Sequence, residues 1–492
     1  MGFVDYVYPS ARHSRFEHSL GVTVLASKMV DAVRRNGNVK DLSDEDRISI
    51  RLSALLHDVG HCLFSHTSEL VYGSALTGAM NEEFHGKNVE PSPHEFLSYL
   101  IVTSAVFSEF FETLKSVYRL NNLNPKDIAN RIVGLVEKEK DRFKTCFING
   151  PFDADKLDYF HRDSQFSGIP IQLDIDRLFY EIAISDTSVM DKGMPESIYD
   201  LTIGISGVGC IEQIIFNKML LYSTIYNHHK VQAIDCMFKG IFEYMIQKEI
   251  LIKINGIKKK IESPVDFLYL VDYDLFSLIN EIDDTNLKRL ITNIKDRKLL
   301  KRALIINHGS IVKEAIQPTE KNDIIAELKS LLKEEDANLI EKVRQKIAEL
   351  DEKPSNTKEG GLKGLISLLS TKANRSTKDK YLRELAKKIV ADAHVDCLLH
   401  EVWIDIPKSP SFKETSAVNI RTNKDRDCKE YKHIDDFYPY NPYKELYVTH
   451  KLNAHVFAPE PCLKQIAESA KKIFKEELDI EFNERALIHV NG

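Results

Sequence analysis

Three histidines and an aspartate fall within twelve residues of an otherwise apolar stretch, LLHDVGHCLFSH. They are His57, Asp58, His61 and His66. Ser43 and Asp46 form a capping-box pattern that predicts a helix beginning just after Ser43 and ending near this stretch. Adjacent side chains point about 100° apart along a helix, but at a helix end they can straddle one ion. The spacing of His57 and Asp58 therefore allows a metal site.

Three further stretches carry side chains of the same chemical kind, and they are HSRFEHSLG (13–21), PHEF (93–96) and DADKLDYFHRD (153–163). Adding His18 and a distant aspartate to the His57–Asp58 pair gives a mixed nitrogen and carboxylate set. Such ligands suit Fe, Mn, Zn or a similar ion, with positions left open for water or phosphate oxygen.

The last of these stretches places several polar groups on one helical stripe. Asp155, Tyr159 and Asp163 recur at four-residue spacing, Arg162 lies on the same stripe and Lys156 lies beside it. This combination offers a carboxylate for a metal, a cation for phosphate, and groups able to hydrogen-bond a sugar hydroxyl. A plain solvent-exposed helix face is the alternative.

Two other interpretations of the histidine-rich stretch remain. A His–Asp pair in a helical protein is commonly a hydrogen-bonded structural pair. Alternatively, residues 57–61 imitate the zinc-protease HExxH helix. In that case Asp58 replaces the glutamate base, Gly60 weakens the helix, and His18 and His66 are left without a role.

Composition narrows the class of protein. The chain has 492 residues, of which 43% are hydrophobic and 29% charged, enough for a large core in one big domain or two smaller ones. A formal net charge of −7 argues against a generally basic surface that coats nucleic acid. Seven cysteines without a CxxC pair indicate neither a disulfide framework nor a thiolate zinc site. With no apolar run of about 18 residues and no signal-peptide pattern, we expect a cytoplasmic protein without a membrane partner.

Hydrophobic periodicity predicts a mainly α fold with a smaller α+β C-terminal region. In the first half of the chain, the predicted elements are a helix over 18–35, a loop over 72–93, a short strand near 178–184, and a Gly-rich turn followed by a long helix over 204–235. In the second half, a Lys/Glu-rich helix is predicted over 323–390, broken by a loop at 352–361. A strand over 445–461 and a final amphipathic helix complete the prediction.

Three motifs, in order, resemble one known family. They are Arg15-Phe-Glu-His18-Ser-Leu-Gly, then His57-Asp58-x-Gly-His61-x-x-Phe64-Ser65-His66, then Asp153-x-Asp155-Lys156-x-Asp158-Tyr159-Phe160-x-Arg162-Asp163. The chain thereby resembles the deoxynucleoside triphosphate triphosphohydrolases of the HD superfamily, which include bacterial deoxyguanosine triphosphate hydrolases and the vertebrate SAM-and-HD-domain protein. The likeness covers residues 7–235 well and the C-terminal AHVFAPEPCLKQIAESA more loosely.

The resemblance implies a role for each matching residue. The implied metal ligands are His18, His57, Asp58 and Asp155, holding Fe, Mn or Zn, with Mg or Mn accompanying the nucleotide. The implied substrate contacts are Arg15 and Lys156 to phosphate, Tyr159 and Asp163 to deoxyribose, and Tyr226 in the nucleoside pocket. The implied catalytic residues are His61, His66, His94 as general acid, and Glu69, which orients His94.

The reaction implied by the resemblance is hydrolysis of a deoxynucleoside triphosphate to deoxynucleoside and inorganic triphosphate. Water attacks the α-phosphorus in line, and His94 protonates the departing 5′ oxygen. Several of these residues have a structural alternative. His61 and His66 could orient ligands, and Tyr226 could be a core aromatic. Lys218 and Arg177 match family substrate-contact and regulatory positions more weakly, and Arg177 is expected in a surface ion pair.

The family usually carries a Gln-Leu-Gly-like segment that contacts the sugar, just before the first motif. The sequence given starts at Met1 and contains no such segment before that motif. Sugar recognition is therefore expected to differ most from the family pattern. Two alternatives stay open: an HD phosphohydrolase acting on nucleoside monophosphates, ribonucleotides or nucleic-acid ends, and a nucleotide-sensing defence scaffold. Nucleic acid is thus a possible but not an indicated partner. By analogy, we expect a homo-oligomer between dimer and hexamer. The expected division is an HD phosphohydrolase core (1–235), a helical continuation (236–400) and a small α+β region (401–492).

Overall fold

The structure is a computed structural model. It describes residues 2–36, 42–187, 198–311, 375–407, 410, 412, 417–422, 431–437, 440–478, 480–487 and 490. Of the predicted Lys/Glu-rich helix, residues 323–374 lie outside the described residues, including the loop predicted at 352–361.

The N-terminal part is built from helices. They are α1 (Arg15–Asn36), α2 (Asp44–Leu56), α3 (His66–Glu83), α4 (Pro93–Val102), α5 (Ala105–Tyr118), α6 (Pro125–Val133), α7 (Arg142–Cys146), α8 (Ala154–Ser167) and α9 (Ile175–Glu181). The capping box predicted from Ser43 and Asp46 is confirmed, and α2 ends at Leu56 with His57 as its C-cap. The helix predicted over 18–35 is confirmed as α1.

The loop predicted over 72–93 is wrong for residues 72–83, which belong to α3. The glycine and serine content suggested a loop, but Tyr72 and Leu76 are buried in the core that α3 shares with α11 (His229–Gln247). Burial of an apolar face outweighs weak local helix propensity.

Strands and helices alternate after α9. β1 (Ile182–Asp186) pairs antiparallel with β2 (Tyr199–Gly204), so only the second half of the strand predicted near 178–184 is correct. The predicted Gly-rich turn precedes α10 (Val208–Leu221). A π-helical turn at Tyr222–Tyr226 separates α10 from α11.

The remaining described elements are β3 (Ile252–Ile254), β4 (Ile257–Lys259), α12 (Asp272–Glu281), α13 (Thr285–Lys295), β5 (Lys301–Ile306), α14 (Arg375–Ala393), β6 (Trp403–Asp405), β7 (Asn419–Arg421), β8 (Tyr431–His433), α15 (Tyr440–Lys451), β9 (Ala454–Ala458) and α16 (Leu463–Leu478). One sheet has the order β1-β2-β7-β8 and another the order β5-β9-β6. The mainly α fold with a smaller α+β C-terminal region is confirmed.

The strand predicted over 445–461 is correct only over β9, because residues up to Lys451 form α15. All five residues of β9 are buried, since β9 is the central strand between β5 and β6. Alternation of apolar and polar side chains is the signal of a half-buried strand, so it could not fix the bounds of this fully buried one.

The histidine-rich stretch lies where two hydrophobic cores meet. The first core contains residues of α3, α4, α6 and α11–α13, and the second contains residues of α1, α2, α8 and α10. A third core belongs to the C-terminal elements. The division of the chain at residues 235 and 400 stays a prediction.

No single helix among the described residues is long and apolar enough to cross a membrane, and the bent pair α4–α5 passes that test of length and composition only when the two helices are taken together.

Candidate active site

Four side chains from three helices converge beyond the end of α2. His18 comes from α1, His57 and Asp58 follow α2, and Asp155 comes from the first turn of α8. Nε2 of His18 lies 3.1 Å from Oδ1 of Asp155 and 3.7 Å from Oδ2 of Asp58. Nε2 of His57 lies 3.2 Å from Oδ1 of Asp58 and 3.7 Å from Oδ1 of Asp155. We call these four side chains the HD cluster.

The hydrogen bonds around the HD cluster fit a metal site. Nδ1 of His57 lies 2.8 Å from the carbonyl oxygen of Ala54, which turns Nε2 toward the carboxylates. That Nε2 is buried and has no hydrogen-bond partner among the described residues. Nδ1 of His18 lies 2.7 Å from Oδ2 of Asp158. Metal-ligating histidines characteristically donate their other ring N–H to a carbonyl or carboxylate, so this donor set suits a divalent transition ion.

Asp158 belongs to the third sequence motif, but no role was predicted for it. Arg162 holds its carboxylate in a two-pronged hydrogen bond, with Nε 2.7 Å from Oδ2 and Nη2 3.0 Å from Oδ1. A Cβ atom at Gly21 would overlap Oδ1 of Asp158 and Nη2 of Arg162. The glycine that closes the first motif is therefore needed to let α1 pack against this pair.

The pKa shifts in the HD cluster show that its carboxylates favour a nearby positive charge. Burial alone would lower the pKa of His18, but its hydrogen bonds to Asp155 and Asp158 outweigh this and raise that pKa to about 10. Burial would raise the pKa of Asp155, but the two histidines hold it well below its ordinary value. The carboxylates thus attract positive charge, which either a proton on His18 or a bound metal ion can supply.

A second group of side chains borders the HD cluster, and we call it the histidine cluster. It consists of His61, His66, Glu69 and His94, whose candidate ligand atoms all lie within 4.8 Å of one another. Oε1 of Glu69 lies 2.7 Å from Nδ1 of His66 and 3.0 Å from Nδ1 of His94. The rings of His61 and His94 stack with centroids 3.9 Å apart. Asp58 joins the two clusters, because its Oδ1 lies 3.5 Å from Nε2 of His61 and 3.9 Å from Nε2 of His94.

The pKa values of the two stacked histidines are shifted in opposite directions. Burial would lower the pKa of His94, but Glu69 outweighs it and raises that pKa to about 9. Burial and the positive charge of His94 lower the pKa of His61 well below its ordinary value. His94 therefore carries a proton at neutral pH beside a neutral His61, which is the state required of a proton donor.

Gly60 brings the two helix ends of the site together. A Cβ atom there would overlap the backbone of α4 at His94 and Ser98. The backbone N–H of Gly60 donates to Oγ of Ser98 at 2.8 Å, and the same hydroxyl donates to the carbonyl oxygen of His57 at 2.7 Å. This close approach sets the distance between His94 and the HD cluster.

Both predicted phosphate-binding cations lie at the site but have protein partners. Nη1 of Arg15 donates to the carbonyl oxygens of His61 at 2.9 Å and Cys62 at 2.5 Å. Nζ of Lys156 donates to Oδ2 of Asp153 at 2.5 Å and to the carbonyl oxygen of Gly150 at 2.7 Å.

The predicted sugar-binding residues also form a cluster, on α8 and the π-helical turn. The hydroxyl of Tyr226 donates to Oδ2 of Asp163 at 2.5 Å, and the rings of Tyr159 and Tyr226 lie 6.5 Å apart. Nε2 of His13 lies 3.0 Å from Oδ1 of Asp163. No role was predicted for His13, although it opens the stretch HSRFEHSLG, two residues before Arg15. A polar side chain directly before a motif of functional residues was the available signal.

Comparison with known proteins gives this geometry a family context. Residues 15–142 match the model of the HD domain. This range contains the whole histidine cluster and every member of the HD cluster except Asp155. The chain carries an HD domain. Residues 173–334, which follow the HD domain, match the model of the HD associated region. HD domains are typically hydrolases that bind a divalent metal, in agreement with the donor set described above.

Several known proteins are similar to this chain at modest identity. An uncharacterized protein of Methanocaldococcus jannaschii is 31% identical over 298 residues, covering 59% of this chain and 52% of its own length. The deoxynucleoside triphosphate triphosphohydrolase SAMHD1 homolog of Dictyostelium discoideum is 26% identical over 323 residues, covering 65% and 55%. SAMHD1 of Gallus gallus is 26% identical over 280 residues, covering 53% and 42%. The chain spans about half the length of these curated relatives.

Proposed function

We propose that this HD domain hydrolyses deoxynucleoside triphosphates to deoxynucleoside and inorganic triphosphate. The observation that carries the proposal is the contact of Asp58 with both clusters. A single carboxylate links a ligand set suited to a metal ion with a protonated histidine suited to donate to a leaving group. A metal ion and a proton donor at neighbouring positions can together promote hydrolysis of a phosphate ester.

Within this proposal, the four side chains of the HD cluster hold the metal ion. When bound, a divalent ion supplies Lewis acidity toward phosphate oxygens and lowers the pKa of water. Arg15 and Lys156 bind phosphate oxygens, Lys156 by exchanging its contact with Asp153 for one with the substrate. His94, held by Glu69, donates its proton to the departing 5′ oxygen.

The assignment of substrate rests on the cluster beside α8 and on the relatives. Tyr159, Asp163 and Tyr226 offer an aromatic wall and a carboxylate next to Asp155, an arrangement suited to a nucleoside sugar. Two of the relatives are named deoxynucleoside triphosphate triphosphohydrolases. We also propose a homo-oligomer, by analogy with the family that the motifs resemble, and a cytoplasmic location, from the sequence pattern.

Product analysis tests the proposal. Purified protein is incubated with Mn²⁺ or Mg²⁺ and each deoxynucleoside triphosphate, singly and mixed, and products are separated by anion-exchange chromatography. We expect triphosphate and deoxynucleoside from the native protein and neither from Asp58→Ala. Orthophosphate, or products from monophosphates, ribonucleotides or single strands alone, would instead establish a different HD phosphohydrolase. Absence of hydrolysis with the metal bound would favour a nucleotide-sensing scaffold.

A further inference from the structure

The segment between His61 and His66 of the histidine cluster contains an unusual backbone bend. Phe64 and Ser65 are consecutive non-glycine residues, and both have φ of 51°. This left-handed region is costly for residues with a Cβ atom, and it persists only where the surroundings impose it. The bend stands immediately before His66, the first residue of α3.

The bend determines the position of several groups in the site. Glu69 lies one turn into α3, and α3 begins where the bend ends. The carbonyl oxygen of Cys62, at the other end of the bend, accepts hydrogen bonds from the Ser65 N–H at 3.1 Å and from Arg15 at 2.5 Å. A change in the bend would therefore move the carboxylate that holds His94 and the anchor of Arg15 together.

Two carboxylates from a distant part of the chain hold the bend in place. Oδ1 of Asp272, the first residue of α12, accepts a hydrogen bond from the Phe64 N–H at 2.6 Å. Oδ1 of Asp235 in α11 accepts one from the Thr67 hydroxyl at 2.8 Å. Both carboxylates belong to the segment that matches the HD associated region.

Apolar contacts from the same helices support the bend. The ring of Phe64 meets that of Phe238 in α11 edge-on at 5.6 Å and that of Phe276 in α12 edge-on at 6.3 Å. It also stacks on Phe3 at 4.1 Å, with the planes 19° apart. The ring is thus enclosed by residues outside the stretch that carries the histidines.

We infer that Asp272 and Asp235 are positioning residues, through which the HD associated region holds the Phe64–Ser65 bend and thereby the histidine cluster and Arg15. The inference rests on the proposed function for its kinetic consequence. The helices α11 and α12 would then affect the reaction by holding the bend, without touching the substrate.

The test compares Asp272→Ala with Asp272→Asn and with the control Asp283→Ala, which removes an exposed carboxylate between α12 and α13. The alanine removes the acceptor for the Phe64 N–H, whereas the asparagine keeps a carbonyl oxygen there. We expect kcat to fall about 10-fold to 100-fold in Asp272→Ala, because small misplacements of catalytic groups have effects of this size. Bound metal should remain at the native level, and Asp272→Asn should recover most of kcat.

A second pair of variants covers the case in which Asp272→Ala does not fold. Thr67→Val removes the hydroxyl that donates to Asp235 while keeping the side-chain shape, and Thr67→Ser keeps the hydroxyl. We expect kcat to fall about 3-fold to 10-fold in Thr67→Val, consistent with loss of one hydrogen bond. Thr67→Ser should restore it.

Hydrogen exchange provides a readout that does not depend on activity. In Asp272→Ala, amides of a peptide spanning residues 60–70 should exchange faster than in Asp283→Ala, while those of α1 should not change. Equal kcat and equal exchange in Asp272→Ala and Asp283→Ala would overturn the inference and leave the proposed function standing. If the native protein releases no triphosphate, the proposed function fails, and exchange alone decides whether the carboxylates hold the bend.

Discussion

At the scale of single residues, the site depends on side chains that hold other side chains of the site in place. Asp158 holds His18, Arg162 holds Asp158, and Glu69 holds His94. The contacts with His18 and His94 are made by Nδ1, which leaves Nε2 of each ring facing the HD cluster. Outer partners of this kind typically change metal affinity or activity by 10-fold to 100-fold.

Glu69→Gln tests the protonation of His94. The carboxylate raises the pKa of His94 to about 9, so the native enzyme should keep its proton donor at neutral pH and lose activity as pH rises through about 9. Without the negative charge, the pKa of His94 falls and the loss should begin at lower pH. We also expect kcat at pH 7 to fall by about 100-fold, the scale of general acid catalysis. A pH–rate profile makes the measurement, with Glu82→Gln on the exposed face of the same helix as control.

Asp158→Asn tests the support of the metal ligand His18. The amide keeps the shape but loses the charge that orients and polarises the imidazole. Metal affinity should fall about 10-fold to 100-fold, as measured by competition with a chelator. Asp176→Asn, at an exposed position of α9, should bind metal as the native protein does. Equal affinity in both variants would show that His18 needs no carboxylate partner.

At the scale of elements, the site is an intersection of helix ends and faces. α2 supplies its C-terminus, α1 and α8 supply side chains near their N-termini, and the turn after α2 packs closely against α4 at Gly60. Glycines occur where two backbones must touch, and the sequence position of Gly60 alone did not reveal its neighbour.

Gly60→Ala tests this close approach. The added methyl group would overlap the backbone of α4, and overpacking of this kind costs about 1–3 kcal/mol. We expect a lower midpoint of thermal unfolding together with a reduced kcat, because His94 moves with α4. Gly78→Ala in α3 is the matched control, since its methyl group would meet no atom within 4 Å and the helix favours alanine by about 0.5–1 kcal/mol. Equal midpoints in the two variants would contradict the packing argument.

The sequence predicted the helices that carry the motifs better than the elements around them. The capping box of α2 and the apolar periodicity of α1 are local signals, so both elements were found. The second half of α3 and the boundary between α15 and β9 depend on which neighbours bury them, and no local pattern records that. The candidate metal ligands were predicted because three motifs agree in order with those of one family. Asp158, which supports the candidate ligand His18, becomes recognisable only when α1 and α8 are packed together.

At the scale of the whole molecule, the HD cluster joins segments far apart in the chain. His18, Asp58 and Asp155 belong to different helices or helix ends of the second core, and the histidine cluster attaches to the first. A metal ion that binds only the folded chain should therefore stabilise the junction between the two cores.

Metal removal tests this linkage. Chelation should lower the midpoint of thermal unfolding, and Mn²⁺ at about 100 times its dissociation constant should restore about 2.7 kcal/mol. Metal binding should also strengthen as pH rises, because the ion competes with a proton on His18, whose pKa of about 10 is raised by Asp155 and Asp158 against the effect of burial. Differential scanning calorimetry measures the shift. Asp58→Ala should show almost none, and an equal shift there would place the metal elsewhere.

The central claim is that water attacks the α-phosphorus beside the HD cluster while His94 protonates the departing 5′ oxygen. Hydrolysis of a deoxynucleoside triphosphate in ¹⁸O-labelled water, followed by mass spectrometry of the products, tests it most directly. One labelled oxygen in the released triphosphate, and none in the deoxynucleoside, is the predicted result. Label in orthophosphate, pyrophosphate or the deoxynucleoside would place the attack at another atom and contradict the account.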